Sequence, residues 1–191
     1  MNSEIKGFLW RKIIHSVSII FPILVLTLEK KYYLPIFSFI MGGFLTADYL
    51  RFEIKSFNIF FKRFFGEMIK AKEKKFFTGA TWVCISSFIV SLLFPKNIAL
   101  ISLLFLTVSD NIASIVGKFY GKRKIFEGKT LEGSLSFFLI SFSLTIFFNE
   151  LPISKKIIVS IFATLIELIS FNLDDNLTVP ISTAILLYLI V

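Results

Sequence analysis

The chain has 191 residues, 55% of them apolar and 25 of them Phe, with a formal net charge of +8. That much apolar surface exceeds what a soluble core of this length can cover, which excludes a small soluble globular domain. The one cysteine, Cys84, lies inside an apolar stretch and excludes both a disulfide framework and a cysteine-based metal centre within one chain.

Seven apolar runs follow one another, at 13–28, 34–49, 77–94, 98–116, 134–148, 157–173 and, shorter, 179–191. Most have roughly 15 to 19 residues, near the length a helix needs to cross a hydrocarbon core of about 30 Å. They predict an all-α fold, a polytopic integral membrane bundle of about seven transmembrane helices, with residues 1–191 as one domain. The first run follows Lys6, Arg11 and Lys12 and so imitates a signal peptide, but Leu28-Glu29-Lys30-Lys31 is no small-residue cleavage site. It is read as a spanning helix. Arg11 and His15, four apart, share a face at its start, and Asp48 and Arg51, three apart, share one at the end of the second run.

Between residues 51 and 76, Lys and Arg alternate with Phe57, Phe60, Phe61, Phe64 and Phe65. This predicts an amphipathic helix along the interface, its Phe side in the acyl region and its cations outward. It would connect two spans and border the way by which a lipid enters the bundle. At Phe94-Pro95-Lys96-Asn97 a tight turn is expected, making the third and fourth runs antiparallel neighbours. With the N-terminus inside, 16 of the 21 Lys and Arg fall on cytoplasmic segments and leave Lys30, Lys31, Lys96, Lys155 and Lys156 outside. The charge is thus accounted for by the bilayer, and a nucleic-acid module is disfavoured.

An ionisable group inside an apolar run is costly and marks a functional position. Asp110 is the clearest, and offsets of 4, 7 and 11 put Ser114, Gly117 and Gly121 on its helical face. Lys118, Lys122, Arg123, Lys124, Gly128, Lys129, Thr130, Glu132, Gly133 and Ser134 follow. Glycines that expose backbone N–H groups, together with cations and hydroxyls, suit a triphosphate. Gly128-Lys129-Thr130 echoes the end of a P-loop, yet Arg123 stands where the upstream glycine is required and no strand precedes it, so a P-loop fold is rejected. At the end of the sixth run stand Glu167, Asn172, Asp174, Asp175 and Asn176, acids that suit Mg²⁺ or another divalent cation beside phosphate. Pro180 after Asn176 and Thr178 suits a capped helix start with Pro in its first turn.

The order of these motifs resembles the CTP-dependent lipid kinase family that includes dolichol kinase, phytol kinase and yeast-type diacylglycerol kinase. The pieces are Arg11-Lys12-x-x-His15, Asp48-Tyr49-Leu50-Arg51 with Asn58, and Glu73 before Thr78-Gly79-Ala80-Thr81. They continue with Asp110-x-x-Ala113-Ser114-x-x-Gly117-x-x-x-Gly121-Lys122, then Gly128 to Ser134, then Glu167 with Asp174-Asp175-Asn176-x-x-x-Pro180. The 110–134 stretch is also similar to phosphatidate cytidylyltransferases, and the Asp175-Asn176-x-x-x-Pro180 ending favours the kinases.

The resemblance implies CTP as phosphoryl donor, a divalent metal, and the hydroxyl of a polyprenol, phytol-like isoprenoid or diacylglycerol as acceptor. On this reading Asp110, Asp175, Glu167 and His15 are catalytic, and Asp110, Asp174 and Asp175 hold the metal. Ser114, Gly117, Lys118, Gly121, Lys122, Arg123, Lys129, Thr130, Gly133 and Ser134 bind the nucleotide. Arg11, His15, Asp48, Arg51, Thr78 and Gly79 meet the lipid, in a site that faces the cytoplasm. CDP-lipid synthesis is the nearest alternative. A lipid or ion transporter is the alternative of another class, since intramembrane acids also line permeation paths.

Overall fold

The computed structural model describes residues 3–191 except 70–72, 74–75, 127, 150 and 170–172. In chain order its helices are α1 (Ser3–Val17), α2 (Ile20–Thr27), α3 (Lys30–Glu53), α4 (Lys55–Phe65), α5 (Gly79–Leu93), α6 (Lys96–Leu104), α7 (Asp110–Tyr120), α8 (Leu131–Ile146), α9 (Ile153–Ile169) and α10 (Asp175–Ile190). Each apolar run falls on helix. Two pairs are nearly continuous, so the described residues form eight helical rods.

The breaks within those pairs have local causes. Pro22 has no N–H for the Ser18 carbonyl and its ring crowds that oxygen, so the helix parts between Val17 and Ile20. Between α6 and α7 the backbone takes one π turn at Phe105–Ser109, in which the Asp110 N–H bonds to the Phe105 carbonyl five residues back.

Three stretches are long and apolar enough to cross a membrane: Ile5–Thr27, Lys30–Glu53 and Lys96–Tyr120. Gly79–Leu93, Leu131–Ile146 and Asp175–Ile190 are shorter apolar helices. This is the pattern of a multi-pass membrane protein. The α6–α7 rod is its central post, with 72% of its apolar window buried against 22% and 17% for the first two stretches. Around it Phe105, Leu103, Leu106, Phe137, Val159, Val179 and Leu187 form the core, while bulky groups such as Phe39, 85% exposed, stand on the outer surface. An apolar exterior around a well-packed interior suits a lipid surrounding.

The amphipathic helix appears as α4, which buries no residue. Its rings stack along one side, with Phe60 and Phe64 centroids 4.8 Å apart and Phe61 and Phe65 5.0 Å apart. The turn after α5 forms as expected, with Pro95 in the N-cap position of α6 and its carbonyl accepting from the Ala99 N–H.

Two local expectations change. The segment between α7 and α8, expected as loop, holds an antiparallel hairpin of β1 (Lys124–Phe126) and β2 (Lys129–Thr130). Its turn contains Gly128 at φ 87°, a left-handed conformation that glycine adopts without strain. Pro180 lies in the second turn of α10 rather than the first, because Asp174 caps the helix one residue before Asp175.

At the end of the bundle away from Asp110, lysines at helix starts donate to the last carbonyls of neighbouring helices. Lys30 bonds to the Leu92 carbonyl at 2.7 Å, Lys96 to Leu28 at 3.2 Å, Lys156 to Ile146 at 3.4 Å, and Lys155 to Ile190. An ammonium is disfavoured at its own helix N-terminus but favoured at a neighbour's C-terminus, where carbonyls lack partners and the dipole is negative. Lys31, the fifth lysine expected on this side, pairs with Glu29 at 2.9 Å.

Candidate functional site

Three carboxylates from three helices meet. Asp110 opens α7 directly after the π turn, Glu167 lies near the end of α9, and Asp175 opens α10. One oxygen of each lies within 4.8 Å of the others, with Asp110 and Glu167 buried and Asp175 partly so. Lys129, from β2, bridges two of them: its ammonium donates to Glu167 and, at 2.7 Å, to Asp175 Oδ2. Burial alone would lower the Lys129 pKa. The negative charges of Asp175, Glu167 and Asp110 outweigh it and raise the pKa above the ordinary lysine value, so the group stays cationic.

From α1, Lys12 Nζ stands 3.6 Å and His15 Nε2 3.7 Å from Asp110 Oδ2. His15 Nε2 also lies 3.1 Å from the Leu106 carbonyl, an acceptor only, so Nε2 carries the proton. The π turn makes this contact available, since it takes the Asp110 N–H to Phe105 rather than to Leu106.

Beside the triad α7 and α8 approach closely around Thr130. Its hydroxyl caps α8 by accepting from the Gly133 N–H at 3.2 Å. A Cβ added at Gly121 would meet the Gly117 carbonyl, and Thr130 Oγ1 and Cγ2 at 2.6 Å; one at Gly133 would meet the Ala113 carbonyl at 3.1 Å. These glycines therefore admit one helix against the other as well as exposing backbone. Ser134, in the first turn of α8, is 8% exposed and its hydroxyl has no hydrogen-bond partner among the described residues.

A second polar knot joins α3 to α5. Asp48 Oδ2 accepts from the Thr78 N–H at 2.7 Å and from the Thr81 hydroxyl at 2.6 Å. Arg51 pairs with Asp48 at 3.0 Å and donates to the Glu73 carbonyl at 3.0 Å and the Phe76 carbonyl at 2.8 Å. Glu73 Oε1 in turn accepts from the Gly79 N–H at 3.0 Å. The Asp48 carboxylate at the start of α5 also complements that helix's positive end.

One cavity of about 1210 Å³ borders both groups. Asp110, Glu167, Asp175, Lys129 and Ser134 are among its polar lining, and Phe21, Ile40, Phe44, Phe57 and Phe61 among its apolar lining. Of the residues expected to bind nucleotide, Ser114, Gly117, Lys118, Gly121, Lys129, Thr130, Gly133 and Ser134 line it. Lys122 and Arg123 do not: they are exposed, and their N–H groups donate to Glu132 Oε2 at 3.0 and 3.3 Å.

Of the lipid-facing set, Arg11, His15, Asp48, Thr78 and Gly79 line the cavity, whereas Arg51 is buried in the α3–α5 knot. Asp174 borders the cavity but caps α10, its carboxylate accepting from the Asn176 N–H at 3.1 Å, and the close triad takes Glu167 in its place. Asn172 lies outside the described residues.

Lys12, Glu73 and Asn176 were given no role in the expected site, yet they line the cavity. The signal for Lys12 was its i, i+3 spacing to His15, and Asn176 follows the two aspartates. Glu73 stood in one motif with Gly79, whose N–H it accepts.

The acid triad fits a hard divalent ion. Such an ion takes carboxylate oxygens as ligands, and one from each of the three lies within 4.8 Å of the others.

No protein-family model and no solved structure matches the chain. It is 32% identical to an uncharacterized protein of Rickettsia prowazekii over 90% of this chain and 89% of the relative. It is also 32% identical to CTP-dependent diacylglycerol kinase 1 of Schizosaccharomyces pombe, over 76% of this chain and 75% of the relative. A probable chloroplastic phytol kinase of Oryza sativa is 29% identical over 63% of this chain and 45% of the relative. With identity at that level over three quarters of both chains, the protein belongs to the family of CTP-dependent lipid kinases that holds the diacylglycerol kinases and phytol kinases.

Proposed function

We propose that the protein transfers the terminal phosphoryl group of CTP to the hydroxyl of a membrane lipid alcohol, releasing CDP and the lipid phosphate. The observation that carries this reading is a single cavity lined both by the Asp110, Glu167 and Asp175 triad with Lys129 and by a set of Phe side chains. The polar lining suits a charged donor and the apolar lining an acyl or isoprenoid chain. Diacylglycerol is the leading acceptor, because the relative with the greater coverage is named for it.

In this reading residues 1–191 are one catalytic domain with seven spans and α4 along the interface. The positive-inside distribution turns the site to the cytoplasm. Asp110, Glu167 and Asp175 would hold a divalent cation, which would neutralise phosphate charge and orient the transferring group. Lys129, Lys118 and the α8 N-terminus with Ser134 would hold phosphate oxygens, and Ser114, Gly117, Gly121, Thr130 and Gly133 would shape the wall they lie on. Lys12 and His15 would hold Asp110 in place. The lipid hydroxyl would come in from the side of α1 and α4, past Arg11 and Thr78. Its proton would leave to a carboxylate of the triad as oxygen attacks phosphorus and the bond to CDP breaks. Such transfers need mainly alignment and charge neutralisation, which these groups supply.

The test is purified protein with CTP labelled at the terminal phosphate and a panel of dioleoylglycerol, phytol and a polyprenol. Labelled lipid phosphate is expected, fastest with diacylglycerol, and Asp110→Ala should abolish it. Release of pyrophosphate with formation of CMP-lipid would instead identify cytidylyl transfer.

A further inference from the structure

We infer that the Lys129 ammonium is the resident cation of the acid triad and yields that place to a divalent ion only when a triphosphate takes the ammonium up, so that metal and nucleotide bind as a coupled pair. This rests on the nucleotide-binding reading above and adds an order of events to it.

The ammonium sits where an ion would. It donates to Glu167 and, at 2.7 Å, to Asp175, and the ligand oxygens of both lie within 4.8 Å of that of Asp110. A divalent ion bound by the same carboxylates would lie close to it, two cations in one small space. Like charges in contact at a partly dry site repel strongly, so one must leave.

Lys129 can leave. Its side chain is 26% exposed on a four-carbon stem, and it belongs to a two-stranded hairpin whose first strand is exposed throughout and whose turn is open at Gly128. Among the described hairpin residues Thr130, set among Gly117, Gly121 and Gly133, is the buried one. A destination lies on the same cavity wall, where Ser134 is nine-tenths buried with a hydroxyl lacking a partner among the described residues. An anion held there would offer Lys129 a new counter-charge. Free metal alone offers it none and must compete with it. A nucleotide that draws Lys129 away thus strengthens metal binding, and by reciprocity metal strengthens nucleotide binding.

The experiment is Mn²⁺ titration of the full chain in detergent without nucleotide, read by the free-ion paramagnetic resonance signal, on wild type, K129Q and K129R. K129Q should bind Mn²⁺ at least tenfold more tightly than wild type, and K129R at the wild-type level. The melting temperature of K129Q, lowered because Glu167 and Asp175 lose their counter-charge, should rise more with Mn²⁺ than that of wild type. If K129Q binds Mn²⁺ no more tightly than wild type, or if K129R matches K129Q, the inference fails. K129M carries the same test should K129Q not fold. CTP binding by wild type, measured separately, distinguishes the two levels: its absence would overturn the nucleotide reading itself, whereas CTP binding with unchanged K129Q metal affinity overturns only the resident-cation role.

Discussion

Asp174 and Asp175 are adjacent and chemically alike, yet a helix start divides their work. Asp174 caps α10 and Asp175 turns into the triad. Asp174→Ala should therefore cost about 1 kcal/mol of stability, the usual worth of an N-cap, and retain most activity per folded molecule. Asp175→Asn should leave the melting temperature nearly unchanged while lowering kcat by about a hundredfold or more, as loss of a group aimed at developing charge does. A melting curve and a kcat for each variant check both. Glycines separate in the same way. Gly121→Ala drives a methyl into the Gly117 carbonyl and Thr130 and should destabilise by roughly 1–3 kcal/mol. Gly42→Ala, with nothing within 4 Å, should stabilise α3 by about 0.5–1 kcal/mol. At this scale Asp110 was readable in advance because a carboxylate inside an apolar run needs a reason. The division between Asp174 and Asp175 was not, since it depends on where α10 begins to within one residue. Nor was the burial of Arg51, which beside Asp48 bonds to the Glu73 and Phe76 carbonyls of a segment remote in the chain.

Among the elements, the helices were legible because each apolar run is long and bounded by charge or Pro. The hairpin was not: β1 and β2 together have five residues, too few for a period to show, and only the turn glycine marks it. The π turn left no trace in composition either, yet it orients Asp110 and frees the Leu106 carbonyl for His15. His15→Ala should accordingly reduce kcat by about tenfold, with His15→Gln restoring part of it through a side-chain N–H to the same carbonyl. Kinetics of the two variants beside wild type would decide between positioning and direct chemistry. The α3–α5 knot gives another expectation. Arg51→Met leaves the Asp48 carboxylate buried without its cation and should cost about 3–5 kcal/mol, seen as a large fall in melting temperature with KM for CTP unchanged in the molecules that fold.

For the whole molecule, five lysines on one set of alternate segments against sixteen Lys and Arg on the other fix the expected orientation. Four of the five are bonded to helix-terminal carbonyls and the fifth to Glu29. In intact cells a membrane-impermeant maleimide should label Lys31→Cys, whose native side chain is 64% exposed, and should label Lys62→Cys only after the membrane is opened. The reverse pattern would turn the site outward. Native Cys84 is buried and should stay silent in both.

Those ammonium–carbonyl ties also divide the bundle mechanically. They join α3 to α5, α6 to α2, and α9 to both α8 and α10, all at the end remote from the triad. Among the described residues α4 buries nothing, and it packs mainly on α3 and the short turn that follows it. Should the proposed lipid enter from the triad end, the stitched end is the expected fulcrum, and the helices would part like the jaws of a clothes-peg, widest where the hydroxyl would arrive.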